Sequence, residues 1–238
     1  MAVTTERIIN LFNPKIILLV GICGGIKDVK VGDVVFARKI YPYESLKETD
    51  SGQKARPEVR QFNPKSLDIA LSVARQQEWV KRTSHKHVFF EVYDGAIASG
   101  DKLLTTNNTT FSDFLDTQYN DTLAIDMESA GFIEALARHE SIKSLCIRGI
   151  SNLVANYTES KNIANQYLAS ENVAAFVFEL IYQLKITDLN HSNSKFTNNG
   201  LIKKEKKVTV IISTKSNTGP IIGHNTGNIE INIPKSKK

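Results

Sequence analysis

Aliphatic residues fill every position from Ile16 to Val20, and the run passes without a polar break into Gly21-Ile22-Cys23-Gly24-Gly25. A strand that is apolar on both faces belongs to a sheet covered by helices on both sides, so an α/β fold is predicted. Ahead of it, Val3, Ile8 or Ile9 and Phe12 recur at helical spacing and are placed inward, with Asn13-Pro14 ending that helix. Gly32-Asp33 then turns the chain into a second strand at Val34-Val35-Phe36-Ala37.

Residues 41–64 are polar and carry Pro42, Pro57 and Pro64, the composition of a surface loop able to hold substrate contacts. A helix is predicted at about 66–82. Strand follows at 88–93 and 96–98 and ends in the turn Ser99-Gly100-Asp101. Asp126 to Arg138 is predicted helical, with Met127, Ala130, Ile133 and Ala137 on one face. Leu145 to Ile150 is a strand, and residues 161–185 form a closing helix. Strands alternating with helices, with motifs at strand ends, predict a mostly parallel or mixed sheet flanked by helices that binds its ligand along the carboxyl edge.

After Lys185 the composition changes. Residues 1–185 form the main domain, residues 186–200 are rich in Asn, Ser and Thr and read as a linker, and residues 201–238 form a basic, β-rich tail. Within the tail, Val208 to Ile212 is a strand, and Asn-Thr-Gly recurs at 217–219 and 225–227. Such an element buries too little to stand alone, so it packs on its own domain or, the favoured arrangement, on copies of itself as an oligomerisation element.

Charge sharpens the division. Residues 200–238 hold eight lysines against Glu205 and Glu230, whereas residues 1–199 carry 22 basic and 23 acidic side chains. A nearly neutral main domain lacks the basic stripe of a nucleic-acid enzyme, so no specific nucleic-acid partner is expected. At 238 residues and 41% apolar composition the chain can bury a full core, and no run approaches the roughly 18 apolar residues of a membrane span. Cys23 and Cys146 each sit in an apolar run, as buried free thiols do. A cytoplasmic protein without membrane, metal or cofactor is expected.

Four motifs in order carry the candidate chemistry: Val20-Gly21-Ile22-Cys23-Gly24-Gly25, Ala98-Ser99-Gly100-Asp101, Ala124-Ile125-Asp126-Met127-Glu128-Ser129-Ala130, and Cys146-Ile147-Arg148-Gly149-Ile150-Ser151-Asn152. Together they resemble the sugar and base pockets of the purine nucleoside phosphorylase and methylthioadenosine nucleosidase superfamily. The resemblance covers roughly residues 3–182 and implies cleavage of a nucleoside N-glycosidic bond. It places Glu128 on the ribose hydroxyls, Met127 under the sugar, and Gly21, Ile22 and Gly24 close to the ligand. Ser99 and Gly100 then lie in the turn facing the purine, and Arg148 and Ser151 support the base-pocket loop that ends in Asn152.

An aspartate at position 152 would protonate N7 of the departing base, whereas an asparagine amide donates a hydrogen bond without releasing its proton. The superfamily's branches that use Asn there act on 6-oxopurines. Its phosphorylases place a basic residue ahead of the glycine loop and a Ser or Thr within it; Leu18-Leu19 and Ile22 stand there instead, which favours water over phosphate as acceptor. The resemblance also implies an initial strand and a Glu-bearing loop that has no equivalent in residues 1–238. A purine nucleosidase with Glu128 and Asn152 as its catalytic pair is the first expectation. A non-catalytic nucleoside or nucleotide sensor is the second, and a phosphorylase the third. The partners expected are a small-molecule nucleoside or nucleotide and further copies of the chain.

Overall fold

The computed structural model describes residues 1–50, 52–56, 58–76, 79–80, 90–156, 159–193, 208–212 and 221–224. Helix α1 (Ala2–Phe12) stops where Asn13 turns left-handed at φ 44° and its N–H donates to the Ile9 carbonyl. Its buried residues are Thr5, Ile8 and Ile9, while Val3, which the helical spacing places inward, is 66% exposed. At about 100° per residue Val3 lies on the opposite side of the helix from Phe12, so one face cannot hold both.

Strand β1 (Ile16–Gly25) runs parallel to β8 (Lys143–Leu153) along its whole length. A second parallel set consists of β2 (Val34–Pro42), β6 (Val92–Ser99) and β7 (Thr122–Asp126). The two sets join antiparallel at β2 with β8 and at β7 with Gly24 and Gly25 of β1, closing a ring of five strands. The predicted α/β architecture is therefore present with a mixed sheet. Its carboxyl ends converge where β1 crosses β7 instead of lying along one edge.

Helix α5 (Glu159–Asn193) covers β8 and β1, helix α2 (Pro64–Gln76) packs on α5, and α1 packs on α4 (Ser129–Leu136). The approach of α5 to β8 is close enough that a Cβ at Gly149 would stand 2.4 Å from the Ala169 carbonyl oxygen. Residues Ile17, Leu18, Leu19, Val34, Val35, Phe36 and Ile147 are fully shielded, and Trp79 closes the layer by donating its indole N–H to the Val73 carbonyl at 2.9 Å. Burial on both faces of β1 is what its unbroken aliphatic run predicts.

Residues 41–64 are not the irregular loop their composition suggests. They hold the end of β2, a hairpin of β3 (Leu46–Thr49) and β4 (Gly52–Ala55), and a short β5 (Arg60–Gln61) paired to β2. Pro42 is accommodated as the last residue of its strand. Helix α3 (Thr110–Gln118) also escapes the hydrophobic pattern, because Leu115 is its one buried residue and a reciprocal Thr109–Ser112 capping box starts it.

Helix α5 continues to Asn193, through the first residues read as linker; residues 194–200 lie outside the described residues. Strand β9 (Val208–Ile212) pairs in parallel with Ile16–Val20 of β1, and β10 (Ile221–His224) pairs antiparallel with β9. The tail strand thus pairs with the sheet of its own chain. The physical reason is the edge of β1, which β7 pairs only at Gly24 and Gly25. Both Asn-Thr-Gly turns, strand residues 88–89, and residues 77–78 and 81–82 of the expected helix lie outside the described residues.

Candidate active site

Asp126 is the last residue of β7, Glu128 occupies the N-cap of α4, and the helix itself begins at Ser129. The Asp126 carboxylate accepts the Ser129 N–H at 3.1 Å, the Glu128 N–H at 3.3 Å and the Ser129 hydroxyl, so it caps the helix. Met127, placed by spacing on the inward helical face, precedes the helix and is 42% exposed; Phe132, Ile133, Ala135 and Leu136 form the buried face instead. The capping turn takes Met127 out of helical register.

Arg148 projects from β8 into this cap. Its side chain is almost fully buried, and Nη2 lies 2.6 Å from Asp126 Oδ2, 3.1 Å from Glu128 Oε2 and 3.4 Å from Ser129 Oγ. The sequence reading has Arg148 fixing the loop that follows its own strand. Its bonds go instead to the Asp126–Ser129 turn, which lies nearest the guanidinium. Burial opposes its charge, but Asp126, Cys146 and Glu128 outweigh that and hold its pKa above the ordinary value. Two carboxylates against one guanidinium leave an excess of negative charge, an unfavourable seat for phosphate.

Gly21, Ile22 and Gly24 stand in β1 opposite Arg148, Gly149 and Asn152. The glycine loop that the resemblance implies is here a strand: β1 continues through Gly25, and none of these glycines has positive φ. Between Cys23 and Gly24 the register with β8 slips by one residue, leaving Ser151 as the extra residue of a bulge. Ser151 is buried, and its hydroxyl lies 3.2 Å from the Cys23 carbonyl and 3.1 Å from Asn152 Oδ1. Its single proton serves both acceptors. With Oδ1 engaged, the Asn152 amide presents Nδ2 as a donor beside Gly24.

Ser99, fully buried, accepts the Ala130 N–H at 2.9 Å, and the Gly100 N–H donates to the Asp126 carbonyl at 3.2 Å. The four motifs therefore meet: Ser99 pairs with Asp126 across β6 and β7, and Gly24 pairs with both Ile125 and Asn152. Sequence reasoning missed Tyr43 and Glu44, which bond the 100–102 turn; the signal was an aromatic residue directly after Pro42, in a segment dismissed as polar loop. It also missed the pairing of Asp126 with Arg148.

Cys23 and Cys146 are free, buried thiols. Burial pushes the Cys23 thiol pKa well up and that of Cys146 to about 11, so neither is a ready nucleophile. Among the described residues no group of three or more His, Cys, Asp or Glu side chains could hold a metal ion. Nor, among them, is any helix long and apolar enough to cross a membrane.

Residues 1–182 match the family described as the phosphorylase superfamily. No curated protein matches the chain in sequence. Among solved structures it is similar to a 5′-methylthioadenosine/S-adenosylhomocysteine nucleosidase from Colwellia psychrerythraea 34H in complex with adenine. That match has a TM-score of 0.64 at 18% identity and covers 77% of this chain and 73% of that one. A mutant futalosine hydrolase of Helicobacter pylori strain 26695 matches with a TM-score of 0.62 at 19% identity, covering 76% and 75% of the two chains. An aspartate-to-asparagine mutant of the Helicobacter pylori methylthioadenosine nucleosidase, with 5′-methylthioadenosine in its active site, matches with a TM-score of 0.62 at 19% identity over 76% and 74%.

Proposed function

We propose, from the premise that the chain belongs to the phosphorylase superfamily, that it is a purine nucleosidase that cleaves the N-glycosidic bond with water as acceptor. The observation that carries this reading is the pairing of a half-open carboxylate with an oriented amide around one strand crossing. Glu128, 27% exposed at its side chain, is held by Arg148 two residues beyond β7, while Asn152 is held by Ser151 opposite Gly24. Glu128 accepts the ribose hydroxyls, and Met127, exposed beside it, lies under the sugar.

In the reaction the bond from C1′ to the base nitrogen breaks with its electron pair leaving on the base, and a water oxygen bonds to C1′. Asn152 Nδ2 donates to the departing base and stabilises its developing charge, and the proton lost by water balances the base. Water is favoured over phosphate because Arg148 is already neutralised by two carboxylates and no cation stands in the Gly21–Gly25 run. The same reading has the enzyme working as a cytoplasmic homo-oligomer; its two reduced, buried thiols suit a reducing compartment.

Glu128→Ala tests the sugar site. It removes a charged acceptor for two hydroxyls, about 1.5–3 kcal/mol each, so nucleoside binding by titration calorimetry is lost while the circular dichroism spectrum is unchanged. Unaltered affinity overturns the assignment. A second reading, a nucleoside or nucleotide sensor, is favoured by Asn152 itself, which cannot release a proton to the base. Consistent with it, the mutant Helicobacter nucleosidase holds 5′-methylthioadenosine in its active site.

A further inference from the structure

The turn that ends β6 is held from outside by the loop that follows β2. Tyr43 continues the β2–β6 pairing by donating its backbone N–H to the Ser99 carbonyl at 3.3 Å. Its side chain is fully buried, and the phenol oxygen accepts the Lys102 N–H at 2.9 Å while donating to the Lys102 carbonyl at 3.1 Å. Glu44 Oε1 accepts the Asp101 N–H at 3.2 Å. The remaining amide, that of Gly100, goes to the Asp126 carbonyl. All three N–H groups of residues 100–102 are thus engaged by protein atoms, two of them by side chains from one loop.

Packing enforces the same geometry. A Cβ at Gly100 would stand 2.5 Å from the Tyr43 ring, so the ring lies directly on the turn. Phe111 meets Tyr43 edge-on at 4.9 Å, and Lys102 Nζ lies 4.8 Å from the Phe111 ring centroid, which closes the group from the other side. Burial holds the phenol neutral by raising its pKa to about 12, so it can donate and accept throughout the physiological range. A turn fixed before the ligand arrives does not lose conformational freedom on binding.

We propose that Tyr43 and Glu44 are positioning residues for base recognition: they set the 99–102 turn against the purine, while the Asp126–Arg148–Glu128 group serves the sugar. This rests on the reading of the site as a purine pocket, and it divides binding into two halves that can be measured apart. Tyr43→Phe keeps the ring and removes both phenol bonds. Glu44→Ala frees the Asp101 N–H, and Glu44→Gln restores an acceptor.

Free adenine, hypoxanthine and guanine, and their ribonucleosides, are titrated calorimetrically into the full-length wild type and the three variants, with melting temperatures taken alongside. Tyr43→Phe and Glu44→Ala are expected to weaken the preferred base and its nucleoside by the same factor, about five- to tenfold for a lost net hydrogen bond. Glu44→Gln should bind within about twofold of wild type. Base affinities of Tyr43→Phe and Glu44→Ala within about twofold of wild type, or a Glu44→Gln as weak as Glu44→Ala, overturn the proposal. Should Tyr43→Phe fail to fold, the Glu44 pair decides alone. A wild type that binds neither base nor nucleoside overturns the purine pocket itself, an outcome distinct from an intact pocket indifferent to the two residues.

Discussion

Arg148 Nη2 donates to Glu128 Oε2 at 3.1 Å, and the two ends of this bond differ in environment: the guanidinium is 1% exposed and the carboxylate 27%. The second carboxylate on the same nitrogen, Asp126, is as buried as the arginine. The arginine thus anchors a carboxylate that stays partly open to solvent, and it does so by neutralising one that does not.

Removing the anchor should therefore cost more than neutralising the open partner. Arg148→Met leaves Asp126 buried without its cation, a loss of about 3–5 kcal/mol, whereas Glu128→Gln costs under about 1 kcal/mol. Urea unfolding measures both. Equal midpoint shifts would show that Arg148 serves Glu128 alone.

Asn152→Asp should raise base release from adenine nucleosides relative to 6-oxopurine nucleosides, because it returns a proton donor to N7 and changes the pattern presented to the base edge. The ratio of kcat/KM for adenosine and inosine reads the change. If both substrates respond equally, or neither does, residue 152 does not read the base.

Cys23 and Cys146 should resist a thiol-specific disulfide reagent at pH 8 in the native state and react as two thiols in guanidinium, since burial raises both pKa values. In the unfolded chain they ionise near pH ~8.5, while the folded thiols keep their protons, Cys146 to about 11. Their contribution to stability is full below the unfolded pKa and is lost as pH rises above it. A double Cys→Ala variant should flatten that alkaline decline; native-state labelling within seconds would contradict the burial.

Deleting residues 201–238 should lower the melting temperature and promote aggregation that grows with concentration, because it strips β9 from Ile16–Val20 and leaves one edge of an aliphatic strand, still paired to β8 on the other, exposed. Differential scanning fluorimetry and light scattering measure the two effects. An unchanged melting temperature would show that β9 does not support the sheet.

Much of this was legible in the sequence because it lies in local pattern. The aliphatic run at Ile16–Val20 marked a doubly covered strand, and the four motifs fell at strand ends that the fold brings together. What escaped depended on partners distant in the chain. Val3 is the exception, since about 100° per residue already puts it opposite Phe12 without any distant partner. The glycine run resembles a ligand-binding loop, yet β8 pairs with it to its last residue. Tyr43 and Glu44 sit in a segment whose average polarity hides one fully buried ring, and their bonds reach 57 to 59 residues along the chain. Asp126 holds the turn into α4, but its pairing with Arg148 becomes visible only where β7 and β8 approach.

The most direct measurement follows free base and ligand binding on one sample of the full chain, in phosphate-free buffer, with adenosine, inosine and 5′-methylthioadenosine offered in turn. For at least one of them, chromatography should show free base and free sugar appearing together at a rate proportional to enzyme concentration and absent in Glu128→Ala. Tight calorimetric binding with the nucleoside recovered intact, or release that begins only when phosphate is added, would contradict hydrolysis at this site.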